Sequence, residues 1–367
     1  MPKKVIHVLG AMNAGGVESW LMCLLRNTDS SQIKHEFIVH DKKKAFYDDE
    51  INQLKSNTYY CNGSNNFFLY SLNLYKLLKS IKPDVIHSHV HTFSGIVVLV
   101  ALLAGVKIRI SHSHSDTRIK DKKSGYIRKA YLFLMRLLIS LFSTKRLAVS
   151  QLAAECLYGE KWMKKNCSVV LCGVDINKYN PEFKNLNMRS DLGIPDNAYV
   201  LGHVGRFSEP KNHDFLIDVF YNLRKINKDA YLVLVGDGEL REKIEDKIRD
   251  LKLSGFVILM GLRKDVPLIM ISVFDILVFP SLWEGLPLTL VEAQFSRKFV
   301  IASSNITKIC DIGLVTFKDL IVSDWVNEIE KKKCMINDNP EFIVSRADKF
   351  LVKSNIVYLN AIYEGHS

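Results

Sequence analysis

The sequence predicts an α/β protein with two parallel-sheet domains, and three observations support this fold class. The chain has 367 residues, which is long for one α/β core and suitable for two. Hydrophobic residues make up 48% and charged residues 24%, as in a globular protein. Short β-branched runs alternate with segments of helical apolar spacing in both halves of the chain. This alternation is typical of βα units in a parallel sheet.

The first predicted domain covers residues 1–172. Its strand-like runs KVIHVLG, HEFIVH, PDVIHSH and KIRISH alternate with helix-like segments such as VESWLMCLLRN and GIVVLVALLAGV. Ligands of parallel sheets bind beyond the carboxyl ends of the strands. The residues expected on this rim are Gly15, Gly16, His89, His112 and His114.

The remaining chain predicts a connection and a second domain. Residues 173–198 are rich in Asn, Asp, Pro and Gly, which favours an interdomain linker. Residues 199–345 form a second α/β series, from YVLGHVGRF to FVIAS and beyond. We expect residues 346–367 to be helical and to return to the first domain.

Bulk properties restrict the function. No apolar stretch with a small-residue cleavage site follows the N-terminus, which predicts a cytoplasmic protein. The seven cysteines form no CxxC pair, so we expect reduced thiols without zinc or a disulfide framework. Residues 1–180 hold 26 Lys and Arg against 13 Asp and Glu, whereas the rest holds 24 against 26. Such a one-sided basic surface suits nucleic acid, anionic lipid or a phosphorylated substrate.

The basic first half contains two kinds of segment that could form interaction surfaces. Lys42–Lys44 and Lys120–Lys123 lack interleaved aromatic residues and are more simply solvated loops, so nucleic-acid binding is not expected. Residues 125–142, GYIRKAYLFLMRLLISLF, are too short and too charged to span a membrane. They predict either a packed domain helix or a helix on an anionic membrane surface.

Three segments could hold a phosphorylated ligand or a sugar. GAMNAGGVESW places glycines between a strand and a helix, where backbone amides can approach a phosphate, although a plain tight turn fits as well. GRFSEPK places Arg206 and Lys211 where they could neutralise a diphosphate, unless they are solvated surface charges. WEGLPLTLVEA places Glu284 in a loop and Glu292 inside the helix opened by Pro287, opposite these basic residues; helix-end and solvated charges are the alternative. Backbone amides expected to point at the ligand are those of Gly285, Leu286 and Leu288.

Histidines recur in HSHVH (87–91) and SHSHSD (111–116). Strand periodicity and the lack of accompanying carboxylates argue against a metal cluster, so no metal is expected. His114 or His112 is better interpreted as a hydrogen-bond donor to a phosphate or a sugar hydroxyl, with a structural histidine as the alternative.

Taken in order, GGVE, HSH, GHVGRFSEPKNH, VGDGEL, GLRKDVP and PSLWEGLPLTLVEA resemble the retaining glycosyltransferase family 4, in particular bacterial capsular and exopolysaccharide enzymes. The resemblance implies the GT-B fold, in which two Rossmann-like domains face a cleft. Ser296–Lys298 departs from the family, which tends to place a glycine-containing turn there. For donor binding, the resemblance implies Gly16 at the donor phosphate or acceptor, Arg206 and Lys211 at the diphosphate, Glu284 at the donor sugar, Glu292 at the ribose, and Arg263 and Asp265 near the base. Gly15, His89 and His112 are assigned to acceptor binding. The expected catalytic residues are His114 near the reacting sugar, Glu284, Arg206 and Lys211.

The resemblance also implies a reaction. A sugar would pass with retention from a nucleoside-diphosphate sugar, UDP-linked, to a saccharide on polyprenyl diphosphate at the inner membrane face. The departing phosphate would help to deprotonate the acceptor, and neither a metal nor another cofactor would be needed. An epimerase or phosphorylase on the same fold is the alternative.

Overall fold

The protein divides into two compact units. Unit 1 comprises Met1–Gly173 and Val352–Ser367, and unit 2 comprises Val174–Leu351. The computed structural model describes residues 2–63, 66–115, 117–118, 125–160, 167–335 and 344–365. Lys120–Lys123, interpreted above as a solvated loop, lies outside these residues, whereas Lys42–Lys44 is exposed.

Unit 1 is built on a seven-stranded sheet in the order β3-β2-β1-β4-β5-β6-β7, in which all neighbouring strands are parallel. Such a sheet needs a crossover after each strand, which the alternating sequence pattern supplies. The strands are β1 (Lys3–Leu9), β2 (Ile33–Val39), β3 (Thr58–Tyr60), β4 (Val85–Ser88), β5 (Ile108–Ser113), β6 (Lys145–Ala148) and β7 (Cys167–Val169).

Helices connect these strands. Helix α4 is buried on most sides, because its sequence SGIVVLVALL is apolar all round. Helix α3 begins after Asn66, whose side chain accepts hydrogen bonds from two backbone amides of the first turn. The helices are α1 (Gly16–Asn27), α2 (Asp48–Gln53), α3 (Phe67–Ile81), α4 (Ser94–Leu103), α5 (Tyr126–Phe142) and α6 (Gln151–Tyr158).

Unit 2 has a six-stranded parallel sheet in the order β10-β9-β8-β11-β12-β13. Its strands are β8 (Tyr199–Val204), β9 (Ala230–Val235), β10 (Val257–Gly261), β11 (Ile276–Phe279), β12 (Phe299–Ser303) and β13 (Val315–Lys318). Its helices are α7 (Met188–Asp191), α8 (His213–Ile226), α9 (Arg241–Asp250), α10 (Val266–Ser272), α11 (Leu288–Phe295), α12 (Val322–Lys333) and α13 (Val344–Ala347). The predicted fold class of two parallel-sheet α/β domains is therefore confirmed.

The segment 173–198, interpreted from sequence as a linker, is packed onto unit 2 from Val174 onward. The Arg189 guanidinium forms an ion pair with Asp275 at 2.6 Å and donates to the Val273 carbonyl at 2.8 Å. A composition rich in turn residues does not distinguish a free linker from a tethered one, because the tethering contacts are made by distant residues.

The C-terminal helix α14 (Val352–Glu364) belongs to unit 1. It begins six residues later than the segment 346–367 proposed from sequence. The Trp20 indole donates to the Asn355 side chain at 3.0 Å, and the Tyr363 hydroxyl lies 2.9 Å from His87 Nδ1. A side chain at Gly173 would collide with the backbone of Val352, so this glycine permits the close approach of the helix.

Helix α5 has both a packed face and an exposed apolar face. Leu132, Met135 and Ile139 are buried. No helix among the described residues is long and apolar enough to cross a membrane. The exposed apolar side chains of α5 are Tyr126, Ile127, Phe133, Leu134, Leu137 and Leu141.

Candidate functional site

In unit 2, Lys211 lies beside Glu284 at the carboxyl edge of the sheet. Lys211 ends the turn Glu209–Lys211 after β8, and its Nζ is 2.7 Å from Glu284 Oε1 in the loop after β11. The side chains are only 18% and 15% exposed. The ammonium also lies 4.6 Å from the centre of the Phe279 ring. An ammonium has three N–H donors, so donors remain for a ligand after Glu284 takes one.

The loop that carries Glu284 is fastened to the turn that carries Lys211. The Leu282 amide donates to the Pro210 carbonyl at 2.8 Å, and the Asn212 side chain donates to the Pro280 carbonyl at 3.2 Å. The ion pair therefore joins two backbone segments whose relative position is already fixed by hydrogen bonds.

Arg206 does not join this pair. It is 68% exposed and forms an ion pair with the exposed Glu239 at 3.0 Å. Glu239 belongs to the loop that follows β9. The sequence places Arg206 at the correct edge of the sheet, but in this structure its charge is shared with a neighbouring loop.

Glycines allow the loops after β8 and β9 to pack backbone against backbone. A Cβ at Gly236, whose φ is +137°, would stand 2.0 Å from the Gly205 carbonyl oxygen. A Cβ at Gly238 would stand 2.4 Å from the Phe207 carbonyl oxygen, and one at Gly205 would touch the Lys211 side chain at 3.1 Å. The VGDG motif thus holds the loop that presents Arg206.

Glu292 lies in the second turn of α11. Burial raises the pKa of its carboxyl, while a hydrogen bond with the Tyr179 side chain and the charge of Lys211 act in the opposite direction. Pro287 precedes the helix. The Leu288 N–H, expected from sequence to point at a ligand, donates to the Leu286 carbonyl at 3.0 Å in this structure. The backbone follows a tight bend there before the helix begins.

Arg263 and Asp265 form a bidentate pair in the loop after β10, with N···O distances of 2.8 and 2.6 Å. The hydrogen bond from Arg263 is the main cause that lowers the pKa of Asp265. Arg297, in the stretch that departs from the family pattern, has a φ of +57°. The left-handed turn that favours glycine is therefore retained with an arginine.

Sequence reasoning missed two buried histidines next to Lys211. Burial lowers the pKa of His203 to about 4 and that of His213 to about 2, with the Lys211 charge acting in the same direction. His203 Nδ1 donates to the Val278 carbonyl at 2.8 Å. Its Nε2, both ring nitrogens of His213 and the Ser281 hydroxyl are buried without a hydrogen-bond partner among the described residues. His203 lies on β8 and His213 begins α8, and this spacing gives no recognisable sequence motif.

In unit 1, Gly15 and Gly16 begin helix α1. A Cβ at Gly16 would meet nothing within 4 Å, so the space beside it is open. A Cβ at Gly15 would stand 2.3 Å from a carboxylate oxygen of Glu18. The Glu18 carboxylate therefore lies over the positive end of its own helix.

The structure brings His89, His112 and His114 together at the carboxyl ends of β4 and β5. His89 Nδ1 lies 2.8 Å from His114 Nε2, and His112 Nδ1 lies 3.1 Å from His87 Nε2. His112 is buried, whereas His89 and His114 are partly exposed. Of the two candidate histidines, His114 is the one with access to solvent.

The histidine cluster is larger than the sequence suggested. His7 on β1 and His35 on β2 also belong to it, because alternate residues of neighbouring strands point to the same side of the sheet. His91 lies in the 3₁₀ turn His91–Phe93, and besides burial its charge contributes to lowering the pKa of His114. A strand order β2-β1-β4-β5, combined with histidines at alternate positions, is the signal that could have found the cluster.

Two triads within the cluster have the spacing of metal ligands, with nitrogens within 4.8 Å of one another: His7, His87, His89 and His89, His112, His114. Both contain only imidazoles, which would suit zinc. Most of their ring nitrogens already pair with another imidazole or a hydroxyl at 2.8–3.1 Å. A metal would have to break these hydrogen bonds, so the geometry fits a hydrogen-bonded cluster better.

Several known proteins are similar to this chain in sequence. Residues 14–178 match the model of Glycosyltransferase Family 4, and residues 184–313 match that of Glycosyl transferases group 1. The capsular polysaccharide biosynthesis glycosyltransferase CapH of Staphylococcus aureus is 31% identical over 363 residues, covering 93% of this chain and 95% of CapH. The UDP-Gal:alpha-D-GlcNAc-diphosphoundecaprenol alpha-1,3-galactosyltransferase of Escherichia coli is 30% identical over 299 residues, or 76% of each chain.

The fold has a close counterpart among solved structures. The crystal structure of Anabaena HepE in complex with UDP and glucose superimposes with a TM-score of 0.81 at 18% identity, covering 99% of this chain and 100% of that one. The two parallel sheets and this similarity show that the fold is GT-B. The 31% identity to CapH over 93% of the chain, together with the two family matches, shows that the chain belongs to the GT-B glycosyltransferases.

Proposed function

We propose that this protein transfers a sugar from a UDP-sugar to a saccharide carried on polyprenyl diphosphate, with retention and without a metal, in the synthesis of a capsular or extracellular polysaccharide. The observation that carries the proposal is the Lys211–Glu284 pair, 2.7 Å apart at the carboxyl edge of the unit 2 sheet. The name of CapH supports the polysaccharide class, and that of the Escherichia coli relative supports a diphosphate-linked lipid acceptor. The HepE complex supports the uridine nucleotide.

The pair provides two complementary functions. The Lys211 ammonium neutralises the diphosphate as the bond to the sugar breaks, which stabilises the transition state more than the ground state. The Glu284 carboxylate accepts hydrogen bonds from donor sugar hydroxyls and keeps the ammonium in place. Arg206 breaks its ion pair with Glu239 and pairs with the diphosphate instead. Breaking this ion pair costs little free energy, because both side chains are exposed.

The other donor contacts follow from their positions. Glu292 accepts from ribose hydroxyls, the loop with Arg263 and Asp265 borders the base, and the amides of Gly285 and Leu286 face the donor. In unit 1, Gly15 and His89 contribute to the acceptor side, the open space beside Gly16 admits a phosphate or the acceptor, and His114 approaches the reacting sugar. Because His112 is buried, we assign it an indirect role on the acceptor side.

A peripheral position on the inner membrane face is part of the proposal. The exposed apolar side chains of α5 lie beside exposed Arg128 and Lys129 in the same helix. Apolar and basic groups on one helix surface favour anionic lipid. Sedimentation with vesicles containing anionic phospholipid should retain the wild type and lose a Tyr126→Asp, Ile127→Asp double variant.

The transfer itself is tested by incubating the protein with a panel of nucleotide-sugars, with and without EDTA, and measuring nucleotide release. We expect release from a UDP-sugar, unaffected by EDTA, and weaker donor binding by Glu284→Ala and Arg206→Ala. Arg249→Ala is the matched control, since Arg249 also forms an exposed ion pair within unit 2. Absence of nucleotide release with every donor, together with unchanged donor binding in both variants, would contradict the proposal. A free isomerised nucleotide-sugar would indicate an epimerase instead.

A further inference from the structure

Four imidazoles of unit 1 form a continuous hydrogen-bonded chain that ends at His114. Thr28 Oγ1 lies 3.2 Å from His35 Nε2, and His35 Nδ1 lies 2.8 Å from His7 Nε2. His7 Nδ1 lies 3.0 Å from His89 Nε2, and His89 Nδ1 lies 2.8 Å from His114 Nε2. Each inner imidazole uses both ring nitrogens.

The hydrogen-bonded chain of imidazoles runs from the amino ends of the strands to their carboxyl ends. Thr28 precedes β2 and is partly exposed at the amino edge, where it caps the end of α1. His35 and His7 lie inside the adjacent strands β2 and β1 and are buried. His89 and His114 follow β4 and β5 at the carboxyl edge. The two ends of the hydrogen-bonded chain therefore lie at opposite ends of the strands.

The four imidazoles are neutral at pH 7. Burial lowers the pKa of His35 to about 4 and that of His114 to about 3, and it lowers the pKa values of His7 and His89 well below the usual range. A neutral imidazole carries one N–H and one acceptor nitrogen. The chain has four links, and each link needs one hydrogen.

Counting hydrogens leaves two complete arrangements. If Thr28 donates to His35, each following imidazole carries its hydrogen on Nδ1, and His114 presents an Nδ1–H at its outer side. If His114 donates from Nε2 to His89, every imidazole carries its hydrogen on Nε2, and His114 presents a bare Nδ1. Any mixture leaves one link empty or places two hydrogens in one link. Either defect leaves buried polar atoms opposed or unpaired, which is costly.

We propose that this chain makes the four imidazoles adopt one common tautomer, so that His35, His7 and His89 are positioning residues that determine whether His114 donates or accepts at its outer nitrogen. A phosphate oxygen at His114 selects the Nδ1–H arrangement, and a sugar hydroxyl that donates selects the other. The use of this selection in transfer rests on the proposed function, whereas the common tautomer does not.

The decisive experiment is NMR of the full-length protein labelled with ¹⁵N-histidine at pH 7, in which ring nitrogen shifts distinguish N–H from bare nitrogens. Signals are assigned by single His→Gln variants. We expect His35, His7, His89 and His114 to share one tautomer, with His40, which pairs with Tyr70 outside the chain, as the reference. Different tautomers among the four would overturn the proposal, as would stoichiometric zinc bound by the cluster in the purified protein.

Two variants test the coupling. His7→Leu should release the His114 tautomer into a mixture. His40→Leu is the control, because His40 is a partly exposed histidine whose pKa burial also lowers, and it should leave the His114 signals unchanged. If His7→Leu does not fold, Thr28→Val changes the exposed end of the chain, and Thr28→Ser restores the hydroxyl. Unchanged ring nitrogen shifts of His114 in both His7→Leu and Thr28→Val would contradict the coupling. A shared tautomer without any glycosyl transfer would instead refute the proposed function alone.

Discussion

The two units present different chemistry at equivalent edges of similar sheets. At the carboxyl edge of unit 1, the polar groups are buried or partly exposed imidazoles whose pKa values are lowered chiefly by burial. At the carboxyl edge of unit 2, they are charged pairs such as Lys211–Glu284 and Arg263–Asp265. Neutral imidazoles can donate or accept without bringing charge, which suits sugar hydroxyls. Fixed charges suit a diphosphate, and this difference is why we propose acceptor binding at the edge of unit 1 and donor binding at the edge of unit 2.

The largest expected difference between the two units is in how much folding stability each loses at low pH. Histidines with lowered pKa values stabilise the fold above their unfolded pKa of about 6.5, and this stability is lost as pH falls toward their folded values. Each proton taken up only by the unfolded chain changes stability by about 1.4 kcal/mol per pH unit. Unit 1 holds the larger cluster, so hydrogen exchange followed by mass spectrometry between pH 7 and 4 should show unit 1 opening first. Simultaneous opening of both units would contradict this comparison.

The next effect concerns the donor edge. Lys211→Ala should lower kcat/KM by about 10²–10³, as expected when a positioned group that stabilises transition-state charge is removed. Lys247→Ala is the matched control, because Lys247 is 22% exposed and pairs with Asp214 and Asp218 away from this edge. Steady-state nucleotide release measures both. An equal loss in the two variants would assign Lys211 to stability instead of catalysis.

A third prediction concerns the backbone that presents Arg206. Gly236→Ala introduces a Cβ 2.0 Å from the Gly205 carbonyl oxygen at a φ of +137°. We expect a loss of at least about 2 kcal/mol in the free energy of unfolding, since both strain and a clash arise. Gly255→Ala, whose Cβ would meet nothing within 4 Å, should change the thermal midpoint little. Equal midpoints for the two variants would show that the loops move apart freely.

The smallest effect is expected at Glu292. Because burial raises the pKa of this carboxyl, its ionisation opposes folding, and that cost disappears as pH falls below the folded pKa. Glu292→Gln should therefore stabilise the unliganded protein at pH 8 more than at pH 4, and it should weaken donor binding. Thermal unfolding at the two pH values tests the first part. A stabilisation independent of pH would argue against a buried ionised Glu292.

The sequence was sufficient for the order of βα units, because periodicity and strand spacing are local properties. It also placed Lys211 and Glu284 in loops at the same edge, where they meet. It could not show that Arg206 pairs with Glu239 or that the Leu288 amide is occupied, because side-chain rotamers and loop bends depend on packing between distant segments. His7 and His35 look like isolated polar residues in apolar strands, and only the sheet order reveals the cluster.

The central claim is that the Lys211–Glu284 edge binds a nucleoside-diphosphate sugar. Isothermal titration of UDP-sugars into the wild type and into Glu284→Gln tests it most directly, with Glu328→Gln as a control, since Glu328 also pairs with a lysine in unit 2. We expect saturable binding by the wild type and the control, with at least tenfold weaker binding by Glu284→Gln, or about 1.4 kcal/mol. Equal affinity in all three proteins would contradict it.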